Sequence, residues 1–129
     1  IGKDLYSHLG IDREDRDSRN KFWSRNYEFF GAPVELCVFT HKSLGKFAAS
    51  DAGLFMQNLI LSAHSKGLGT CAQGAVAVWE DAVREEFEVS KNYSLLCGIC
   101  VGYPSESPIN GFAANRIPPS EIIPPLRRN

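Results

Sequence analysis

Four cysteines, three histidines and one glycine-rich turn are the positions at which this chain could do chemistry. By number alone, Cys37, Cys71, Cys97 and Cys100 permit two disulfides or one metal site. Cys97 and Cys100 have the CxxC spacing, which serves redox chemistry where a helix N-terminus lowers the pKa of the first thiol. Here the pair lies inside residues 93–103, an apolar run that reads as a strand, and an offset of three in a strand sends two side chains to opposite faces. The cysteines are therefore expected to be free thiols of the core. His8, His41 and His64 are scattered without ligand spacing, so no metal is expected. Residues 67–72 (GLGTCA) fit the wording of a dinucleotide fingerprint. That loop must leave a strand and open a helix so that a pyrophosphate meets the helix N-terminus. In this chain the order is reversed, since the glycines close a helix and enter a strand.

The element that must position this turn is residues 50–76. Ala48, Ala52, Phe55, Leu59 and Ala63, with a second row at Met56, Ile60 and Leu61, recur at helical spacing. Asp51, Asn58, Ser62 and Ser65 leave only a narrow polar seam, which predicts a buried, central helix over 51–66. Gly67 stands where a C′ glycine ends a helix, with His64 and Lys66 in the last turn. Residues 68–77 should follow as strand and loop. Upstream, residues 3–10 suit one or two turns of amphipathic helix, and Asp12 can cap a second helix running through Phe22, Trp23, Tyr27 and Phe30 to Gly31. Residues 34–40 read as a strand and 41–45 as a loop. Residues 79–87 read as a short acidic helix, and 90–92 as a turn. The nearly continuous apolar run at 93–103 predicts a strand covered on both faces. The tail, with Gly111, Pro118, Pro119, Pro124 and Pro125, cannot build a core and is expected to wrap over another part of the fold.

With 129 residues, 43% of them hydrophobic, the chain is expected to form one domain over 1–129. A net charge of −1 argues against a polyanion-binding surface, so no nucleic-acid partner is expected. No apolar run reaches the roughly 18 residues needed to span a bilayer, and the N-terminus lacks signal-peptide architecture. A soluble, cytoplasmic protein with no membrane partner is the expectation.

Residues 25–33 (RNYEFFGAP), 57–63 (QNLILSA), 67–71 (GLGTC), 101–104 (VGYP), 108–110 (PIN) and 116–118 (RIP) follow one another in an informative order. Together they closely resemble the C-terminal portion of the FMN-dependent nitroreductase family. The family's N-terminal Arg-Ser-rich segment, which grips the FMN phosphate, has no match, so the chain is expected to be a fragment of the family fold. The resemblance implies an α+β fold, a mixed sheet flanked by helices and incomplete at the N-terminus, assembled as an intertwined homodimer with FMN at the subunit interface. It also implies hydride transfer from NAD(P)H to FMN and on to a nitroaromatic, quinone or similar small-molecule acceptor. In such a reaction the cofactor carries the difficult chemistry and the protein supplies position and electrostatics, so no catalytic dyad is required. The alternative is a catalytically silent remnant that dimerises or binds flavin.

The same resemblance implies particular cofactor-binding residues. Gln73, Gly74 and Ala75 occupy the loop whose backbone N–H faces flavin N5, and Gly74 is the favoured donor because a residue without Cβ lets the backbone approach a planar ring. Arg116 matches the family's C-terminal arginine at the phosphate, a group suited to bidentate grip on phosphate oxygens. Ala114 stands where a basic neighbour is usual. Asn26 aligns with the position whose side chain reaches the pyrimidine edge of the ring.

Overall fold

The computed structural model describes residues 2–123 and 125, which divide into two compact units. One comprises the residues up to 19 together with those from 106 onward, and the other is residues 20–105.

In the first unit, helix α1 (Gly2–His8) precedes a turn at Gly10, matching the short helix expected there. The tail forms a 3-10 turn at Pro108–Gly111 and one helical turn at Pro119–Ile122. His8 joins the two stretches: its Nε2 lies 2.8 Å from the Pro108 carbonyl oxygen, and its ring sits 5.6 Å from that of Phe112. The tail thus packs on the N-terminal helix, while Pro124 lies outside the described residues.

Helix α2 (Arg16–Ser24) is capped by Asp15, whose carboxylate accepts the Ser18 N–H at 2.9 Å. Asp12, expected as the cap, instead accepts from Glu14 one turn earlier. The expected continuous helix to Gly31 is broken. Residues Arg25–Gly31 tighten into a 3-10 segment in which Phe29 and Phe30 take φ of 49° and 53°. Left-handed backbone in a residue with a Cβ costs on the order of 1–3 kcal/mol, so the surroundings must hold it. The Phe22 ring 5.9 Å from Phe30 and the Arg25 guanidinium over the same ring supply part of that hold.

Three strands form one sheet in the order β1-β3-β2: β1 (Val34–His41), β2 (Gly69–Gln73) and β3 (Tyr93–Gly102). Both pairings are antiparallel, so the described residues contain no parallel pair of the expected mixed sheet. β3 is central and holds half of the buried apolar core, with Leu95, Cys97, Ile99 and Cys100 all buried. Both faces of β3 are covered, as its unbroken apolar character predicted.

Helix α3 (Gly45–Ser65) begins earlier than the pattern suggested and ends as expected. Gly67 at φ 76° donates to His64, and Leu68 donates to Ala63, the paired bonds that close a helix on a left-handed glycine. Its burial departs from expectation: Ala48, Ala52 and Ala63 are buried, but Phe55 and Leu61 are 60% and 56% exposed. Among the described residues the sheet covers only one side of this helix, so the wide apolar stripe is only partly used. After β2 the chain makes a 3-10 turn at Gly74–Trp79 and helix α4 (Glu80–Glu86). Arg84 anchors α4, with Nε donating to Glu80 at 2.8 Å, Nη1 to the Val89 carbonyl at 3.0 Å, and Nη2 to the Tyr93 carbonyl. No helix among the described residues is long and apolar enough to cross a membrane.

Candidate functional site

The antiparallel register sorts the sheet into two chemically different faces. Directly opposed residues share a face, as do residues two apart. One face carries Leu36, Val38, Cys97 and Ile99, and the Cys97 Sγ lies 3.7 Å from Met56 Sδ of α3. The other carries two rows across the three strands: Glu35, Cys100, Cys71, and then Cys37, Gly98, Gln73. Cys97 and Cys100 therefore point to opposite faces, as their spacing requires. All four cysteines are free, and burial pushes the Cys100 thiol up to about 11, opposite to what a redox cysteine needs. Among the described residues no group of three or more His, Cys, Asp or Glu side chains is arranged to hold a metal ion.

The polar face leads into the turn that follows β2. Gln73 is its last strand residue and is 2% exposed. Its Nε2 donates to Asn26 twice, to the backbone oxygen at 3.3 Å and to Oδ1 at 3.2 Å. Asn26 in turn donates from Nδ2 to the Trp23 carbonyl at 2.8 Å. The structure thus joins two of the residues singled out in sequence, Asn26 and Gln73, through their side chains. The Asn26 amide is engaged on both its oxygen and its nitrogen within the protein.

Gly74 and Ala75 begin the 3-10 turn, and the turn is held at both ends. Val76 is buried against the sheet above Gly98. At the far end the Trp79 ring lies 3.8 Å from Tyr27 and 5.1 Å from Trp23, centroid to centroid. Such aromatic pairs contribute about 0.5–1.5 kcal/mol each beyond the area they bury. Between these anchors Gly74 is exposed, and a Cβ built on it would meet nothing within 4 Å. The backbone there is open to a flat ligand while its flanks are fixed. Arg116 belongs to the other unit, where it is exposed and its Nη1 donates to the Ala114 carbonyl at 2.8 Å.

One residue at this face escaped the sequence reading. Glu35 interrupts the apolar run that opens β1, and both of its carboxyl oxygens are buried without a hydrogen-bond partner. Oε1 occupies the space a Cβ on Gly98 would fill, 1.9 Å from that position. Burial raises the carboxyl from 4.5 to about 7. The available signal was a lone acid inside a strand together with a glycine inside another, a pattern of close approach.

Comparison with known proteins places this arrangement. Residues 6–103 match the nitroreductase family profile. The chain is similar to a 4-nitrobenzoate reductase of Nocardioides sp. (strain LMS-CY), 40% identical over 120 residues that cover 92% of this chain and 49% of the relative. A 4-nitrobenzoate reductase of Pseudomonas putida is 34% identical over 106 residues, covering 82% and 47%. Among solved structures, the FMN-dependent nitroreductase NfnB from Mycobacterium smegmatis in complex with NADPH superposes with a TM-score of 0.89 at 31% identity. That match covers 98% of this chain and 57% of the other. The chain spans about half the length of the curated relatives it matches. The matched span takes in all three strands, the helix between β1 and β2, and the braced glycine turn, and on these grounds the chain belongs to the nitroreductase family.

Proposed function

We propose that this chain supplies the flavin-facing core of an FMN-dependent oxidoreductase that passes hydride from NAD(P)H to a nitroaromatic acceptor, with quinones as a second acceptor class. The observation that carries this reading is the Gly74 turn: open at the backbone, braced by Gln73 and Trp79, and lying within the span similar to an FMN-dependent nitroreductase. The turn fits FMN, because a Cβ-free residue with open space beside it admits a planar ring against its N–H. Bound FMN would supply the hydride chemistry. The residues of this chain would orient the ring: Gly74 and Ala75 by backbone N–H, Gln73 and Asn26 by fixing the turn from beneath, and Arg116 by its charge on the phosphate.

A homodimer is part of the same proposal. Phe47, Leu54, Phe55 and Leu61 of α3 are exposed in a single chain, and a second copy laid on this helix would bury them. Cytoplasmic location fits an enzyme that draws on NAD(P)H.

The test is flavin uptake followed by turnover. Purified protein mixed with FMN should retain it through gel filtration as a dimer and should oxidise NADPH in the presence of 4-nitrobenzoate. Protein that stays colourless would refute the enzyme reading and leave a silent family remnant. Arg116→Ala should weaken FMN retention while leaving the thermal midpoint unchanged, and equal flavin affinity in mutant and parent would remove Arg116 from the site.

A further inference from the structure

The donor directions around Gln73 can be followed outward from a group that is never a donor. The Trp23 carbonyl accepts from Asn26 Nδ2, which fixes Asn26 Oδ1 as the acceptor on its other side. Oδ1 and the Asn26 carbonyl both accept from Gln73 Nε2, which fixes that amide as well: turning it over would set oxygen against two oxygens. The chain therefore ends on Gln73 Oε1, a buried acceptor without a hydrogen-bond partner. Across Gly98 from it, on the same face, sit the two buried oxygens of Glu35, also unpartnered. Gly98 has no Cβ, and Glu35 Oε1 fills that gap in the row that contains Gln73. Three orphan acceptors buried on one face of the sheet satisfy nothing while all remain acceptors, and burial without a partner is unfavourable. One proton on the carboxyl pairs two of the three, the oxygen that carries it and Gln73 Oε1.

We propose that the Glu35 carboxyl carries its proton and donates it to Gln73 Oε1, making Glu35 the positioning residue for the turn at Gly74. The relay then runs from Glu35 through Gln73 and Asn26 to the Trp23 carbonyl, every link with one donor and one acceptor. Its bearing on the cofactor rests on the proposal that this turn meets the flavin. The remaining groups facing the carboxyl do not supply a cation. They are the thiols of Cys37 on β1, Cys100 on β3 and Cys71 on β2, with Cys97 on the far face of β3; burial raises each of them first, and a charge on Glu35 would add to it. The 3-10 turn contributes apolar Val76. His41, Asp51 and Glu88 line the open cleft that also reaches Glu35 along the β1 edge. The raised carboxyl pKa, about 7, agrees with a proton retained near neutrality. Ionisation would set a carboxylate against Gln73 Oε1 and loosen the turn.

The test begins on flavin-free protein. Carboxyl-carbon NMR should show Glu35 titrating near neutrality, with the Gln73 side-chain amide resonances moving at the same midpoint. A Glu35 already ionised at about pH 5.5, or Gln73 resonances unmoved through its titration, would overturn the proposal. FMN affinity measured on either side of that midpoint adds a second readout. The parent should weaken several-fold on ionisation. Glu35→Gln, which keeps a donor and cannot ionise, should hold its affinity at both pH values, whereas Glu35→Leu should be weak at both. Glu35→Gln showing the parent's pH dependence would also overturn the proposal. A coupled titration in which parent FMN affinity stays flat supports the Glu35–Gln73 pair and refutes instead the placement of this turn at the flavin.

Discussion

Glu35→Gln should flatten the pH dependence of folding stability, and by a predictable amount. In the folded chain the carboxyl is raised from 4.5 to about 7 by burial. The folded state therefore binds more protons than the unfolded state between those values, and stability falls as pH rises through that window. At 1.36 kcal/mol per pKa unit the full shift corresponds to about 3.4 kcal/mol. Glu35 is partly exposed along its stem even though both oxygens are buried, and solvent screening brings the expected loss to about 2 kcal/mol. Urea unfolding at about pH 4.5 and about pH 8 measures it. Parent and Glu35→Gln should be of similar stability in acid, and the variant should be the more stable by about 2 kcal/mol in base. Because other groups titrate equally in both proteins, the difference between the two curves isolates Glu35. Curves that run parallel from acid to base would refute the reasoning.

Three further outcomes follow from the packing. Gly102→Ala places a Cβ 2.8 Å from Pro33 Cδ, a ring atom that cannot swing aside, and should lower stability by about 1–3 kcal/mol in a urea melt. Trp79→Ala removes the ring packed against Tyr27 and Trp23; it should cost about 2–3 kcal/mol by urea unfolding and weaken FMN binding in a fluorescence titration. Trp79→Phe should recover most of both. The Arg84 hydrogen bond holds the Glu80 carboxyl below its ordinary value, so its contribution is present above about 4.5 and lost as pH falls. Arg84→Met should therefore lose less stability than the parent on acidification, as judged by thermal midpoints at both ends of that range.

Much of the fold was legible because it rests on periodicity and glycine chemistry. The strands at residues 34–41 and 93–102 show as apolar runs, and the left-handed Gly67 closes α3 where its position predicted. The start of α3 was hidden because Gly45 at φ 54° follows a loop-like stretch, and helix propensity gives no signal for a helix opened by glycine. Phe29 and Phe30 were unreadable for a related reason: aromatic residues rarely adopt positive φ, so only their packing around Phe22 and Arg25 reveals it. At the site, Asn26 and Gln73 were named separately, yet their contact spans 47 positions and depends on how the 3-10 segment folds back. Glu35 was passed over because a strand pattern says which face a residue takes but not whether a glycine on a neighbouring strand has left room beneath it. The exposed half of α3 was misjudged since periodicity reports an apolar surface without naming what covers it.

The central place of β3 also fixes the order in which this sheet can assemble. β1 and β2 are not neighbours, so neither has a strand partner in this sheet until residues 93–102 have left the ribosome. Once they have, Gln73 meets Gly98 by closing about 25 positions, whereas Cys37 meets the same glycine across about 60. The shorter closure is favoured by about 0.8 kcal/mol of chain entropy. The β2-β3 pair, which delivers the Gly74 turn, is accordingly the earlier ribbon to form, and β1 with its buried acid docks onto a ribbon already in place. A nascent chain stopped short of Tyr93 would display β1 and β2 without the partner that β3 gives them, and unpaired strand edges favour aggregation.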